Sequence, residues 1–473
     1  MVGRTYLVHV VPVVVQVLTV ATFGQAAENS GPQRQDVFEY SVANHNLLRN
    51  GEPFFWLADT GWCLFQQSPD DVESYLDDRA AKHFNVIQMM MIRTRRESNG
   101  LEANYAGELP FTSLDPITLN EVYWRHVDFI LDTARERGLT VAPATMWGRN
   151  ADSLFPNPLE NNEAYGTLLG RRYRDRDNVI WLVTGEYEKI NDNWREDKQA
   201  ISDEQRELIR AIAHGLETGH GGKHLMTIHP VGTSSDDFHH DGWLDFNMHQ
   251  TWGHASANVH RVRADCQKRP AKPVLNGEPG YENRPETPTS TAWKCRYEGY
   301  WSVFSGACGY TYGAWPVWCF QAGWQEALQY EGANDMRHLR FLIESRPMRE
   351  RIPDQSLLMS EAGSLGSEPS YRAATRTSDG SCVMVYSTMG KPFTVDLRKL
   401  SAASVNVWWY SPRDGRCYDE HARETADPFE KIEVIEPREF TPPTAGIDQD
   451  WVAVFDDATA GFSAPGVRNS AAH

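Results

Sequence analysis

Short apolar runs of four or five residues recur along the first two-thirds of the chain, at 54–58, 86–90, 140–144, 179–183, 224–228, 244–248, 273–276 and 307–310. Near-continuous apolarity over so few residues is the pattern of a strand buried on both faces, as in a parallel sheet covered by helices. Helical spacing separates several of the runs. Ser68-Pro69-Asp70-Asp71 reads as an N-cap with proline at the first helical position and acids in the first turn, and Val72, Tyr75, Leu76 and Ala80 then share one face. Trp124, Val127, Leu131 and Ala134 repeat that spacing until Gly138 ends it, and Ser202-Asp203-Glu204 opens a further helix carrying Leu208 and Ile212. Eight strands alternating with helices predict an α/β fold, a (β/α)8 TIM barrel, with a large doubly wound sheet as the alternative.

The period changes near Arg351-Ile352-Pro353. From there Val405, Val407 and Trp409 alternate with Asn406, Trp408 and Tyr410, and Ser378-Asp379-Gly380 and Arg413-Asp414-Gly415 mark hairpin turns. A small antiparallel β-sandwich is therefore expected over 356–457, after a barrel over 27–355 and before a flexible tail over 458–473. Residues 1–26 read as a signal peptide: Arg4 supplies the positive start, 6–23 are mostly apolar, and Gly24-Gln25-Ala26 offers small residues before a cleavage at Ala27. An uncleaved anchor is the alternative. The expected location is secreted or periplasmic, off the membrane once the signal is removed.

Composition narrows the partners. Lysine plus arginine total 46 against 64 aspartate plus glutamate, a net charge of −18. Such a surface repels phosphate backbones and anionic lipids, which argues against nucleic acid or a membrane surface, while local basic patches keep acidic polysaccharides open. Sixteen tryptophans suit a glycan binder, because sugar C–H faces stack on indole rings. The seven cysteines, Cys63, Cys266, Cys295, Cys308, Cys319, Cys382 and Cys417, form no CxxC motif, and their odd number leaves a thiol unpaired in any pairing. No cofactor or metal is called for. HExxH is absent, and His239-His240-Asp241, with Asp236 and Asp237, lacks the one-turn ligand spacing and reads as a solvated loop.

Barrel active sites lie at the carboxyl ends of the strands. Those positions carry Asp59, Trp147, Glu186, His229, the Asn247–His249–Gln250 group, Glu278 and Tyr312. Two of them are glutamates that end an apolar strand and follow a glycine, in Thr184-Gly185-Glu186 and Asn276-Gly277-Glu278. Glycoside cleavage needs such a pair, one carboxyl protonated to assist the leaving oxygen and the other ionised to attack. Glu186 is the candidate acid/base, with Glu188 as a nearby competitor, and Glu278 the candidate nucleophile of a retaining reaction, which predicts carboxyls about 5 Å apart. Asp59, Trp62, Trp147, His229, Asn247, His249, Gln250, Tyr312 and Trp315 are candidate substrate-binding residues, with Trp318 beside them. Each also has a structural reading: a braced first loop for Asp59 and Trp62, hydrogen-bonded histidines behind the site, tryptophans in the core.

Asn50-Gly51-Glu52-Pro53-Phe54-Phe55-Trp56-Leu57-Ala58-Asp59-Thr60, followed by Trp62, resembles the apiosidase-like barrels of glycoside hydrolase family 140. Ile180-Trp181 leading to Gly185-Glu186, His229-Pro230 with Ser234-Ser235, Leu244 to Met248 running on to Gln250, Lys272-Pro273-Val274 running to Glu278-Pro279, and Tyr312-Gly313-Ala314 are similar too. The stretch around Val407-Trp408-Trp409-Tyr410-Ser411-Pro412-Arg413-Asp414-Gly415 is similar to the module that usually follows these barrels, labelled collagen-binding. The resemblance covers nearly all of the chain after the signal. It implies hydrolysis of a pectic glycan at an apiose linkage by two carboxylates. One departure stands out: the family commonly has Gly-Gly-Asp where this chain has Thr184-Gly185-Glu186, so the acid reaches one methylene further into the cleft. The competing expectations are a retaining hydrolase of another glycan, a non-catalytic glycan-binding protein, and a collagen-directed protein. The last has neither HExxH nor Gly-x-Ser-x-Gly to support a peptidase. The sequence does not set the oligomeric state.

Overall fold

The computed structural model describes residues 38–41, 45–94, 100–148, 150–187, 189–190, 198–199, 201–285, 290–366 and 369–467. The expected signal segment and Glu188 lie outside them.

Eight parallel strands form the first architecture: β1 Trp56–Thr60, β2 Val86–Met90, β3 Thr140–Ala144, β4 Trp181–Gly185, β5 Met226–His229, β6 Asn247–Gln250, β7 Val274–Glu278 and β8 Gly309–Tyr312. They pair in the order β5-β4-β3-β2-β1-β8-β7-β6. The remaining seam, between β5 and β6, is drawn together where Asp245 N donates to Met226 O at 2.9 Å and Thr227 Oγ1 to Phe246 O at 2.6 Å. All eight strands are buried along their length.

Helices α1 Pro69–Ala81, α2 Glu121–Glu136, α3 Pro158–Tyr173, α4 Asp203–His220, α5 Ala255–Gln267, α6 Ala292–Phe304 and α7 Glu331–Glu344 wrap this barrel. Every strand but β5 is followed by one. After β5 the chain makes a single 3-10 turn, Ser234–Asp236, whose Ser235 Oγ donates to Asp265 of α5 at 2.6 Å. The expected N-caps form: Ser68 accepts from Asp71 N, and Ser202 makes a capping box with Gln205. Helices α3 and α4 touch through Gly166, Gly170, Gly215 and Gly219, where any Cβ would run into the opposite backbone.

Several strands begin about two residues later than the apolar runs. Phe54 belongs to an antiparallel hairpin, Asn46–Arg49 with Glu52–Phe54, that precedes the barrel. Asp59 and Thr60 extend β1 although both are polar, because each is buried within the fold.

The second architecture is antiparallel. Strands β9 Arg351–Pro353, β10 Arg372–Thr377, β11 Cys382–Ser387, β13 Ser404–Tyr410, β14 Cys417–Tyr418 and β17 Trp451–Asp457 form a sheet in the order β9-β10-β11-β17-β13-β14, with β15 Glu430–Glu433 paired to β13. A short pair, β12 Phe393–Val395 and β16 Arg438–Phe440, covers one face of it. The covered face carries Val383, Val385, Val405, Val407, Trp409 and Phe455. The opposite parity, Met384, Tyr386, Trp408, Tyr410, Val452 and Val454, packs into the barrel's own core. This is why β13 is apolar at both parities over its second half.

That contact centres on α6, the helix that follows β7. Tyr300 stacks on Tyr386 at 4.6 Å, and Trp301 Nε1 donates to Thr388 Oγ1 at 2.9 Å. Arg296, wholly buried, pairs with Asp335 of α7 at 2.6 Å and with Asp448 and Asp450 of the sandwich. Arg346 makes a two-pronged pair with Asp456 at 2.8 and 2.6 Å.

Candidate active site

Gly185 ends β4 and turns the chain so that Glu186 sits at φ +44°, a left-handed conformation costly for a residue with a Cβ. The turn is pinned where Glu186 N donates to His229 O at 2.7 Å. A Cβ on Gly185 would fall inside the indole of Trp147, so the missing side chain is what admits that ring. Trp147 Nε1 then donates to Glu186 Oε2 at 3.3 Å, while Gln250 Nε2 donates to Oε1 at 3.2 Å.

Glu278 closes β7 and is 5% exposed. Gln250 is its register partner on β6, and the Gln250 side chain reaches Glu186 just beyond the end of β4. His229 Nε2, at the end of β5, stands 3.1 Å from Glu278 Oε2. The imidazole is boxed by Trp62, edge-on at 5.0 Å, and Trp147 at 5.2 Å, and the two indoles approach each other at 4.5 Å. On the other side Tyr281 faces Glu278. Its hydroxyl accepts from Trp62 Nε1 at 3.0 Å, and burial together with the Glu278 charge raises the phenol well above its ordinary range. The ring has room because Gly313 has no side chain.

A rim of aromatic groups continues outward from Tyr281. Trp318 lies parallel to Tyr281 with centroids 6.3 Å apart, Trp315 follows at 5.8 Å, and the Arg284 guanidinium sits over both Trp315 and Trp252 at 5.2 and 5.4 Å. A disulfide, Cys63–Cys319, ties the loop after β1 to the loop after β8. Arg93 Nη1 lies 3.3 Å from each of its sulfurs.

The structure thus gathers Glu186, Glu278, Trp62, Trp147, His229 and Gln250 into one constellation, with Trp315 on its rim. It does not bring the other candidates there. Asp59 points outward to α1, bonded to Arg79 Nε at 2.6 Å and Tyr75 OH at 2.8 Å, and burial raises its pKa. Asn247 meets His239 Nδ1, and His249 Nε2 meets Asn258 Oδ1 of α5 at 3.2 Å, where burial pushes the imidazole down to about 3. Tyr312 OH donates to Glu282 Oε2 at 2.5 Å. The physical reason is strand alternation: Gln250 and His249 are neighbours and cannot both face the barrel mouth. Tyr281, Trp252 and Arg284 escaped the sequence reading, since they sit on loops without an apolar run to mark them.

A family model described as "Apiosidase-like, catalytic domain" matches residues 42–350. The chain belongs to the apiosidase-like family. A second model, described as "Putative collagen-binding domain of a collagenase", matches residues 352–456 of this apiosidase-like protein. Among solved structures, a glycoside hydrolase family 5 protein from Bacteroides vulgatus is similar at 27% identity and a TM-score of 0.77, over 91% of this chain and 96% of that one. Another structure, described as a glycoside hydrolase, is similar at 28% identity and a TM-score of 0.76, over 90% and 97%. A further structure, described as a "putative glycoside hydrolase from Bacteroides vulgatus", shares the fold at 15% identity, a TM-score of 0.64, and 90% and 83% coverage. No curated protein matches the sequence. This apiosidase-like protein is a glycoside hydrolase by family and by likeness along nearly its full length.

Proposed function

We propose that this glycoside hydrolase cleaves an apiose-type linkage in a pectic glycan with retention of configuration. The observation that supports it most is that Trp147 donates to Glu186 and packs at 5.2 Å against His229, which stands 3.1 Å from Glu278. In this reading Glu278 attacks the anomeric carbon while Glu186 gives its proton to the departing oxygen. Glu186 then takes a proton from the water that releases the sugar from Glu278. Trp62, Trp147, Trp315 and Trp318 offer indole faces to sugar rings.

We further propose that residues 1–26 direct export and are removed. The Cys63–Cys319 disulfide agrees with an oxidising compartment. N-terminal sequencing of protein recovered outside the cytoplasm tests this, and a mature chain starting at Ala27 is expected.

The catalytic reading is tested by product analysis after incubation with pectic and other plant or algal polysaccharides, with Glu278→Gln as control. Apiose-ended fragments from the wild type alone are expected. Release of a different sugar would keep the two-carboxylate chemistry and move the specificity. A folded Glu278→Gln variant with full activity would refute the assignment.

A further inference from the structure

The two cysteines of the disulfide each have a tryptophan as the preceding residue, Trp62 before Cys63 and Trp318 before Cys319. Both indoles converge on the surroundings of one carboxylate. Trp62 packs edge-on against His229, which stands 3.1 Å from Glu278, and its Nε1 donates to Tyr281 OH at 3.0 Å. Trp318 lies parallel to the Tyr281 ring, within 14°. The two loops are 256 residues apart in sequence.

We propose that the Cys63–Cys319 disulfide is a positioning element of the active site: by fixing Trp62 and Trp318 it keeps His229 and Tyr281 pressed against Glu278. The inference rests on the reading of Glu278 as the nucleophile. Small displacements of a positioned group reduce turnover steeply even where binding survives. Opening the cross-link frees the β1 and β8 loops, lets Trp62 turn away from Tyr281, and leaves the Glu278 carboxylate with fewer donors. Reduction is a thiol–disulfide exchange. A dithiol such as dithiothreitol supplies two electrons and two protons, the S–S bond becomes two thiols, and the dithiol closes to its own cyclic disulfide. Cys63 is buried and Cys319 partly exposed, so attack comes from the Cys319 side.

Tyr281 faces Glu278 from its own loop, and His229 at the end of β5 stands 3.1 Å from its Oε2.

The experiment compares wild type, Cys63→Ser/Cys319→Ser and Tyr281→Phe. The readout is the split between kcat and KM on 4-nitrophenyl β-D-apiofuranoside, with Glu278→Gln as the inactive control. Both variants are expected to lose kcat about 10- to 100-fold with little change in KM. If the serine pair does not fold, wild type reduced in its folded state serves instead. Alkylation after denaturation reports the change, from five reactive cysteines to all seven. Unchanged kcat in folded protein that lacks the cross-link would overturn the proposal. Activity retained by Glu278→Gln would instead overturn the reading beneath it, and if the apioside is inert the glycan identified by product analysis replaces it.

Discussion

The indole of Trp147 occupies the space that a side chain at Gly185 would need, and from there its Nε1 reaches the carboxylate of the next residue, Glu186. The glycine before the candidate acid thus serves a neighbour as well as the turn. Gly185→Ala is expected to expel the ring, loosen Glu186 and lower kcat about 10- to 100-fold. Steady-state kinetics with near-UV circular dichroism checks this, and wild-type turnover in the variant would contradict it.

Gln250 Nε2 donates to Glu186 Oε1 and Trp147 Nε1 to Oε2, so two donors hold the carboxyl in one orientation. Gln250→Leu removes one of them and should lower kcat about 10- to 100-fold with little change in KM. Steady-state kinetics checks this, and wild-type kcat in the folded variant would remove Gln250 from this role.

Much of this organisation is legible in the sequence, and its gaps have identifiable physical causes. Both glutamates were marked by apolar strands ending in glycine, because few polar residues follow such runs without a purpose. Alternation along β6 separates its two last residues: with Gln250 facing the mouth, His249 faces α5. Tyr281 and Arg284 come from irregular loops, where periodicity carries no information. The missing helix after β5 is equally silent, since Thr233 and Ser235 are held by Asp265, a contact 30 or more residues away. The buried outer face of the sandwich sheet was visible only as tryptophans at both parities of β13.

That burial makes the C-terminal module part of one core with the barrel. Asp456→Ala strands the buried Arg346 without its partner and should destabilise the protein by about 3–5 kcal/mol. A chain truncated after Glu350 loses that partner and also Asp448 and Asp450 around Arg296, and is expected to be insoluble. Chemical denaturation of the point variant and the yield of soluble truncated chain check both. A stable, active truncated barrel would show that the module is dispensable.

Burial pushes the Asp245 carboxyl from its ordinary 3.8 up to about 7, against the hydrogen bond from Met226 N. The folded state therefore binds this proton more tightly than the unfolded state. Its contribution to stability is full below about pH 4 and is lost as pH rises to about 7. Asp245→Asn should remove that loss, so the variant gains on wild type across this window by about 2 kcal/mol after allowance for partial exposure. Urea denaturation of both proteins at pH 4.5 and pH 7.5 measures it. A constant difference between them would rule the effect out.

The account turns on Glu186 and Glu278 sharing one retaining reaction, and azide rescue tests that most directly. Glu186→Ala, assayed on 4-nitrophenyl β-D-apiofuranoside, removes the base that activates water in the second step. Added azide, which needs no base, should then restore turnover and yield a β-apiosyl azide with the configuration of the substrate. An α-azide would contradict retention, and a Glu186→Ala variant with wild-type activity and no response to azide would contradict the acid/base assignment itself.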